Sequence, residues 1–353
     1  MFSAKECLYN LATYKIKGPL AAFLRGFLFL FSLVYGLAVV ILAFIYRISP
    51  LRLNAKVISV GNITLGGTGK TSFVEYLAGF LTREGKKTAI LSRGYKRKVD
   101  KTGSQGLGDE PAMLQNKFPQ VPVIVDKDRV KAASRAIKDY AADTLILDDG
   151  LQQWRIRKDL EIVALDAGNP FGNYRLLPAG FLREPLSALK RADIFLLTQV
   201  DFGRDTGALA DKLKRINPRA LIVESVHQPQ GFSSAHNPDE LLGLEVLKGK
   251  RVAVFSGIGN PQGFENCIHS LGINLGRSFR FTDHHDYTQA DLLRIIKGAQ
   301  DNNLDAIITT QKDAVKIRQL EIGDSRILVL DIKLSITKNE AELNRRLLKL
   351  YSF

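Results

Sequence analysis

The sequence predicts an α/β protein in three parts: an N-terminal membrane helix, a P-loop domain on a doubly wound, mostly parallel sheet, and a second, smaller α/β domain. Three observations carry this expectation. Residues 26–46 are an uncharged apolar run. Residues 56–71 read as a buried strand followed by a Gly-rich loop that ends in Gly-Lys-Thr. From there onward short apolar runs alternate with segments of helical period, the pattern of stacked β-α units. The expected boundaries are 1–50, 51–212 and 213–353, with the last helix able to pack back on the middle domain.

Length and composition agree with this division. A chain of 353 residues asks for two domains of roughly 100–200 residues each. Hydrophobic content of 45% and charged content of 24% exclude a disordered chain. Two cysteines, Cys7 and Cys267, can build neither a disulfide framework nor a metal knuckle, and fit a reducing compartment. Lys and Arg outnumber Asp and Glu by 50 to 36, a net charge of +14. Such a chain favours anionic partners, whether nucleic acid, acidic headgroups or phosphorylated substrates. No helix-turn-helix, zinc finger or aromatic-rich RNA motif accompanies the charge, so nucleic acid is not an expected partner.

The apolar run (GFLFLFSLVYGLAVVILAFIY) has 21 residues between Arg25 and Arg47. As a helix rising about 1.5 Å per residue it covers roughly 30 Å, the thickness of a bilayer core. A signal peptide would have a shorter apolar region, about 7–15 residues, and then a small-residue cleavage site. Here Arg-Ile-Ser-Pro-Leu-Arg follows, so a retained membrane helix is expected over a buried core helix. Basic residues flank both ends, and the positive-inside rule gives no orientation. Whether the helix crosses the bilayer or lies in it stays open.

Residues 56–61 (KVISVG) read as a buried strand, and 72–82 carry Phe73, Tyr76, Leu77, Phe80 and Leu81 at helical spacing. Between them lies NITLGGTGKT, residues 62–71. Strand, Gly-rich loop and helix in that order are the context of a phosphate-binding loop. Gly66, Gly67 and Gly69 let the backbone around Thr68 curl so that successive N–H groups face a phosphate. The helix adds its positive end. Lys70 can reach β- and γ-phosphates, and the Thr71 hydroxyl can ligate Mg²⁺. The strict motif would begin with Gly at position 64, where this chain has Thr64. A second element, DTLILDDG at 143–150, is an apolar strand ending in paired acids, as Mg²⁺ coordination beside a phosphate loop requires. If the strand continues through them, Asp148 and Asp149 point to opposite faces, and either can be the metal ligand.

Further strands are expected at 88–91, 122–125, 161–165 and 193–198, with a helix at 128–140. Polar stretches at 201–219 and 228–240 mark the region of the domain boundary. The second domain then shows strands at 250–256, 305–310 and 326–332 and a terminal amphipathic helix at 338–350. Within it FTDHHDY, residues 281–287, holds two of the five histidines between Asp283 and Asp286. An Asp-His pair there suits acid/base work, because a carboxylate sets the tautomer and raises the basicity of a histidine.

Together these motifs resemble the tetraacyldisaccharide 4'-kinase family, the lipid A 4'-kinases of Gram-negative bacteria. The resemblance spans nearly the whole chain. It takes in the apolar helix, then VGNITLGGTGKT (60–71), LSRGY (91–95), GDEP (108–111), LILDDGLQ (145–152), LLPAGFLREP (176–185), FSGIGNP (255–261), DHHDY (283–287) and TTQKDAVK (309–316), in the family's order. It implies ATP with Mg²⁺, a lipid A disaccharide 1-phosphate acceptor and a 4'-phosphorylated product. It implies attachment to the bacterial inner membrane with catalytic domains facing the cytoplasm, where ATP is. By the family's pattern Asp109 is the base at the sugar hydroxyl, paired across an interdomain cleft with His284. His285 is the alternative partner; His284 directly follows Asp283. Lys70 and Thr71 hold phosphates and Mg²⁺, with Asp148, Asp149 and Glu184 at the metal and its surroundings. Arg93 and Tyr95 contact nucleotide or substrate, and Arg129 and Arg183 touch phosphate. The expected form is a monomer on an anionic lipid surface, which the basic balance suits.

The chain departs from the family in a short stretch between Tyr95 and Asp109, occupied by Lys96, Arg97, Lys98 and Lys101. Gln199 and Gln311 replace a common Lys and Glu. The competing reading is a membrane-tethered P-loop ATPase switch without a lipid acceptor. Against it, Leu65 stands where one ATPase class has a second Lys, and TQVD at 198–201 lacks the Lys of a guanine-recognition loop.

Overall fold

A computed structural model describes residues 11, 13, 15–94, 108–200, 205–237, 240–283, 285–318, 320–321 and 326–352, without the side chain of Asp109. Tyr95 and His284 lie outside the described residues. The apolar run lies within a longer helix, α1 (Pro19–Ile48), which opens on a proline whose missing N–H needs no partner there. From Ser32 onward only a narrow seam of α1 is buried: Ser32, Gly36, Val39 and Ala43. Phe23, Phe27, Leu30, Leu37, Val40, Phe44 and Ile48 remain exposed. A Cβ at Gly36 would come within 2.6 Å of Leu176 Cδ1, so glycine permits this close approach. By length and composition α1 could cross a membrane.

The rest of the chain alternates strands and helices, among them elements at 109–117, 274–280 and 289–300 beyond those its periodicities predict. In order come β1 (Lys56–Gly61), α2 (Lys70–Arg83), β2 (Thr88–Ser92), α3 (Asp109–Lys117), β3 (Val123–Val125), α4 (Arg129–Tyr140), β4 (Thr144–Asp148), β5 (Leu160–Asp166), β6 (Ile194–Thr198) and α5 (Gly207–Ile216). Then follow β7 (Leu221–Ser234), β8 (Leu241–Leu242), β9 (Arg251–Ser256), α6 (Pro261–Ser270), β10 (Asn274–Arg280), α7 (Gln289–Gln300), β11 (Ala306–Thr310), α8 (Gln311–Ile317), β12 (Ile327–Lys338) and α9 (Glu340–Lys349). Both polar stretches read as a boundary region carry regular structure. The first contains α5, whose Leu209, Ala210, Leu213 and Ile216 cover a core while its other face is polar. The second overlaps the far half of β7.

The chain forms two compact units. One comprises 1–93, 118–226 and 336–353, so α9 belongs to it; the other comprises 94–117 and 227–335. In the first unit the strand order is β7-β6-β5-β1-β4-β2-β3, all parallel. One side of β1 holds β4, β2 and β3, which the chain completes by returning to β4, and the other side holds β5, β6 and β7. β1 is the switch point of a doubly wound sheet, where ligands bind beyond the carboxyl edge. The second unit contains β10-β9-β11-β12, also parallel, and β8 pairs antiparallel with β7. Its core includes Phe255, Leu292, Ile295, Ile307 and Ile317.

Close packing at the carboxyl edge of β1 demands glycine. A Cβ on Gly61 would lie 2.5 Å from the Leu151 backbone nitrogen, and one on Gly150 would collide with Ser59 Oγ and with Leu147 at 2.8 Å. Overpacking of this kind costs about 1–3 kcal/mol. Gly61→Ala should therefore lower the thermal midpoint by roughly 2–10 °C. Scanning calorimetry of the detergent-solubilised protein checks this, and an unchanged midpoint would show that the 150–151 turn can move away freely.

Candidate active site

The loop after β1 is braced from three sides. Asn62 is buried, and its Nδ2 donates to the Thr64 carbonyl at 2.7 Å and the Gly66 carbonyl at 3.4 Å. Gly66 and Gly69 take φ of 122° and 71°, the region that favours glycine. The Thr68 carbonyl accepts from Thr198 Oγ1 at the end of β6, at 3.2 Å. Along the third side runs the 176–185 segment. Leu65 N donates to Phe181 O and Arg183 N to Ile63 O, each at 2.8 Å. Lys70 opens α2 and Thr71 follows on its first turn, where unpaired N–H groups and the helix dipole attract anions.

The paired acids sit beside this loop because β4 is hydrogen-bonded to β1. The strand does not continue through them. It ends at Asp148, and Asp149 has a φ of 59°, so a left-handed turn rather than the pleat separates the two carboxylates. Asp149 accepts a two-pronged bond from Arg183, Nη1 to Oδ1 at 2.7 Å and Nη2 to Oδ2 at 3.0 Å. Lys70 Nζ lies 3.6 Å from Oδ1. Arg183 Nη1 also reaches Asn62 Oδ1 at 3.1 Å. Burial works against ionisation of Asp149, but Lys70, Arg183 and Arg129 outweigh it and hold its carboxyl below the usual aspartate range. Asp148 is buried and takes a bond from Ser92 Oγ at 3.4 Å. Arg129 is buried behind it, donating to the carbonyls of Asp126 and Asp148. Burial pulls the Arg129 pKa down, against the opposing pull of Asp148 and Asp149. Arg93 is exposed at the end of β2.

Glu184 is placed differently from Asp148 and Asp149. It is 1% exposed, and its oxygens accept from Arg191 at 2.8 and 2.9 Å and from Gln152 at 3.0 Å. Arg191 and Lys158 both donate to the Leu151 carbonyl, and Lys158 pairs with Glu161 at 2.6 Å. Burial lowers the Lys158 pKa and raises that of Glu161, each opposed by its partner. This network holds the chain just after the paired acids.

In the second unit three motifs meet. Lys312 lies 3.3 Å from Glu110 of GDEP and 3.4 Å from Asp283 of DHHDY. Gly108–Pro111 and Asp283–Tyr287 share this unit. His285 Nε2 is 3.1 Å from Asp291 Oδ2, and its ring stacks on Phe281 with centroids 4.6 Å apart. The same carboxylate closes the capping box of α7 with Thr288. Lys316 Nζ donates to the His285 carbonyl at 2.9 Å. The side chain of Asp109, Tyr95 and His284 lie outside the described residues. Among the described residues no group of three or more His, Cys, Asp or Glu could hold a metal.

Sequence reasoning missed Asn62, Thr198, Gln152 and Arg191 as bracing residues. Asn62 and Gln152 lie inside quoted motifs and could have been suspected. Thr198 and Arg191 become neighbours of the site only through non-local pairing.

The depressed pKa of Asp149 has a signed consequence. Its stabilising contribution is present above the unfolded aspartate pKa, about 4, and is lost as pH falls through the lower folded value. Asp149→Asn should melt below wild type at a constant interval from about pH 8 to 5, and the interval should shrink below about pH 4. Thermal midpoints across that range check this. An interval independent of pH down to the acid limit would contradict the charge-based origin.

The comparisons with known proteins agree with this geometry. The family model described as Tetraacyldisaccharide-1-P 4'-kinase matches residues 24–352. The tetraacyldisaccharide 4'-kinase of Elusimicrobium minutum is 38% identical over 335 residues, 88% of this chain and 88% of its own length. That of Halothermothrix orenii is 35% identical over 90% of this chain and 92% of its own. A crystal structure of LpxK from Aquifex aeolicus in complex with ATP matches with a TM-score of 0.71 at 30% identity, covering 93% of this chain and 100% of that one. This chain therefore belongs to the tetraacyldisaccharide-1-P 4'-kinase family.

Proposed function

We propose that the chain transfers the γ-phosphoryl group of ATP to the 4'-hydroxyl of a tetraacyldisaccharide 1-phosphate, a step of lipid A biosynthesis. The observation that carries the reading is the meeting of Lys70, from the phosphate loop, with Arg183, from the family's LLPAGFLREP segment, on one carboxylate. Phosphoryl transfer needs alignment and charge neutralisation more than covalent chemistry. The loop amides and the start of α2 bind the phosphates, with Lys70 reaching the β- and γ-groups and Arg183 and Arg129 adding charge. Arg93 and Tyr95 contact nucleotide or substrate.

Thr71 and one of Asp148 and Asp149 offer the hard oxygens that Mg²⁺ takes, one or two from protein and the rest from phosphate and water. An Mg²⁺ ion held by these residues would supply positive charge against the negative charge of the transferring phosphates. Glu184 serves through its hold on Arg191 and Gln152, since both its oxygens are engaged. Asp109 orients the acceptor hydroxyl and takes its proton. His284 assists it, because His285 is tied to Asp291.

The chain works as a monomer at the cytoplasmic face of the bacterial inner membrane, anchored by the 1–50 region. The exposed apolar side of α1 enters the lipid, and the +14 charge favours an anionic surface.

The experiment is turnover with ATP and Mg²⁺, with and without a detergent-dispersed tetraacyldisaccharide 1-phosphate. Acceptor-dependent phosphorylation is expected, and Lys70→Ala should lower kcat on the order of 10²–10³-fold, the loss typical of one preorganised charge-stabilising donor. ATP hydrolysis indifferent to acceptor would instead mark a P-loop switch.

A further inference from the structure

At the edge of the first unit's sheet away from the phosphate loop lies a cavity of ≈ 580 Å³. It is bounded by residues at or just before the amino ends of β1, β2, β4 and β5, among them Arg52, Lys56, Lys86 and Arg157. β1 has six residues, so at about 3.3 Å per residue the cavity is roughly 20 Å from the loop. The ligands of a doubly wound sheet bind at its carboxyl edge, and this space is at the other one.

Its charge is unbalanced. No ion pair joins any of the four cations to a described residue. Two carboxylates line the wall and both accept internal bonds: Asp143 from Thr144 Oγ1 at 2.7 Å, Asp159 from Val57 N at 2.8 Å. The C-terminal segment supplies another side. Tyr351 Oη lies 2.8 Å from Thr144 Oγ1, and Lys86 Nζ lies 4.3 Å from the centre of the Tyr351 ring, so Lys86 is held at the cavity.

The cavity also adjoins apolar surface. α1 ends at Ile48, which is 70% exposed, and Leu51 is 44% exposed. Leu51 is fixed to the body of the unit by bonds to Arg155 and Arg157 backbone at 2.8 and 2.9 Å. Arg52 is the next residue. Exposed apolar residues thus stand at the end of α1 and immediately before Arg52, which lines the cationic hollow. A molecule with a phosphate at one end and acyl chains at the other would satisfy both.

We propose that this cavity binds one phosphate-bearing anion, the headgroup of an anionic phospholipid, with Arg52, Lys56, Lys86 and Arg157 as its partners. A free phosphate shares that chemistry, and the test separates the two. The proposal rests on the membrane reading of α1 and is independent of the transfer reaction.

The test is calorimetric titration of the full-length protein in nonionic detergent, without ATP or acceptor. The probes are monomeric dihexanoyl phosphatidylglycerol, dihexanoyl phosphatidylcholine and inorganic phosphate. Saturable one-to-one binding of the anionic lipid is expected, about tenfold or more tighter than either other probe. Each cation near an anionic headgroup contributes about fivefold, so Lys86→Gln/Arg157→Gln should weaken it on the order of 25-fold. Equal binding of the two lipids, or anionic-lipid binding untouched by the double variant with its circular dichroism intact, would overturn the site. Inorganic phosphate binding as tightly as the lipid would overturn the headgroup assignment. Should the double variant fail to fold, the preference of the wild-type protein among the three probes decides. A negative result leaves acceptor-dependent phosphorylation standing, and loss of that activity leaves this titration unaffected.

Discussion

The carboxylate of Asp149 is the point on which the rest of the first unit's site depends. Three stretches far apart in sequence reach it: the loop through Lys70, the strand-end turn through its own backbone, and the 176–185 segment through Arg183. A partly buried carboxylate is unstable alone, and the two cations compensate it. The same cations are what a polyphosphate would attract. One ion cluster thus serves folding and binding together: it fixes the phosphate loop against the acidic turn and aims positive charge at the carboxyl edge of β1. Arg183 adds its bond to Asn62, which in turn staples the loop from within.

Around this cluster the supporting contacts form a second layer. Glu184 follows Arg183 directly, and its grip on Arg191 and Gln152 sets the position of its neighbour. Arg191 and Lys158 converge on the Leu151 carbonyl, just past the paired acids. Leu151 is also the residue that presses on Gly61 at the end of β1. All of these contacts bear on the segment that follows the turn carrying Asp149. The second unit is organised in a similar way around Lys312, which draws together side chains from GDEP and DHHDY.

Most of the fold was legible because β1, β2, β4, β5 and β6 are short, almost fully buried runs, and helices such as α2 and α4 keep their period. KVISVG is β1 residue for residue. Boundaries drifted where polar residues belong to regular structure, as in α5 and the far half of β7, whose burial comes from neighbours distant in sequence. The Gly-Lys-Thr loop and the paired acids were legible because their spacing is local. The geometry between the acids was not, since a left-handed turn at Asp149 leaves no mark on an apolar pattern. Arg183 could be named only through resemblance, and its pairing with Asp149 not at all. Glu184 was grouped with the metal, yet its oxygens face Arg191 seven residues on and Gln152 thirty-two residues back. Sequence distance hides such pairs.

In the reaction proposed above, the phosphate that leaves ATP arrives on the lipid, and this transfer can be followed atom by atom. Its most direct measurement is the ratio of ADP formed to 4'-phosphorylated disaccharide formed, followed by phosphorus NMR in one reaction mixture. One ADP per new 4'-phosphomonoester is expected throughout the time course, and no ADP before acceptor is added. ADP accumulating without that product, or phosphate appearing at another position of the sugar, would contradict it.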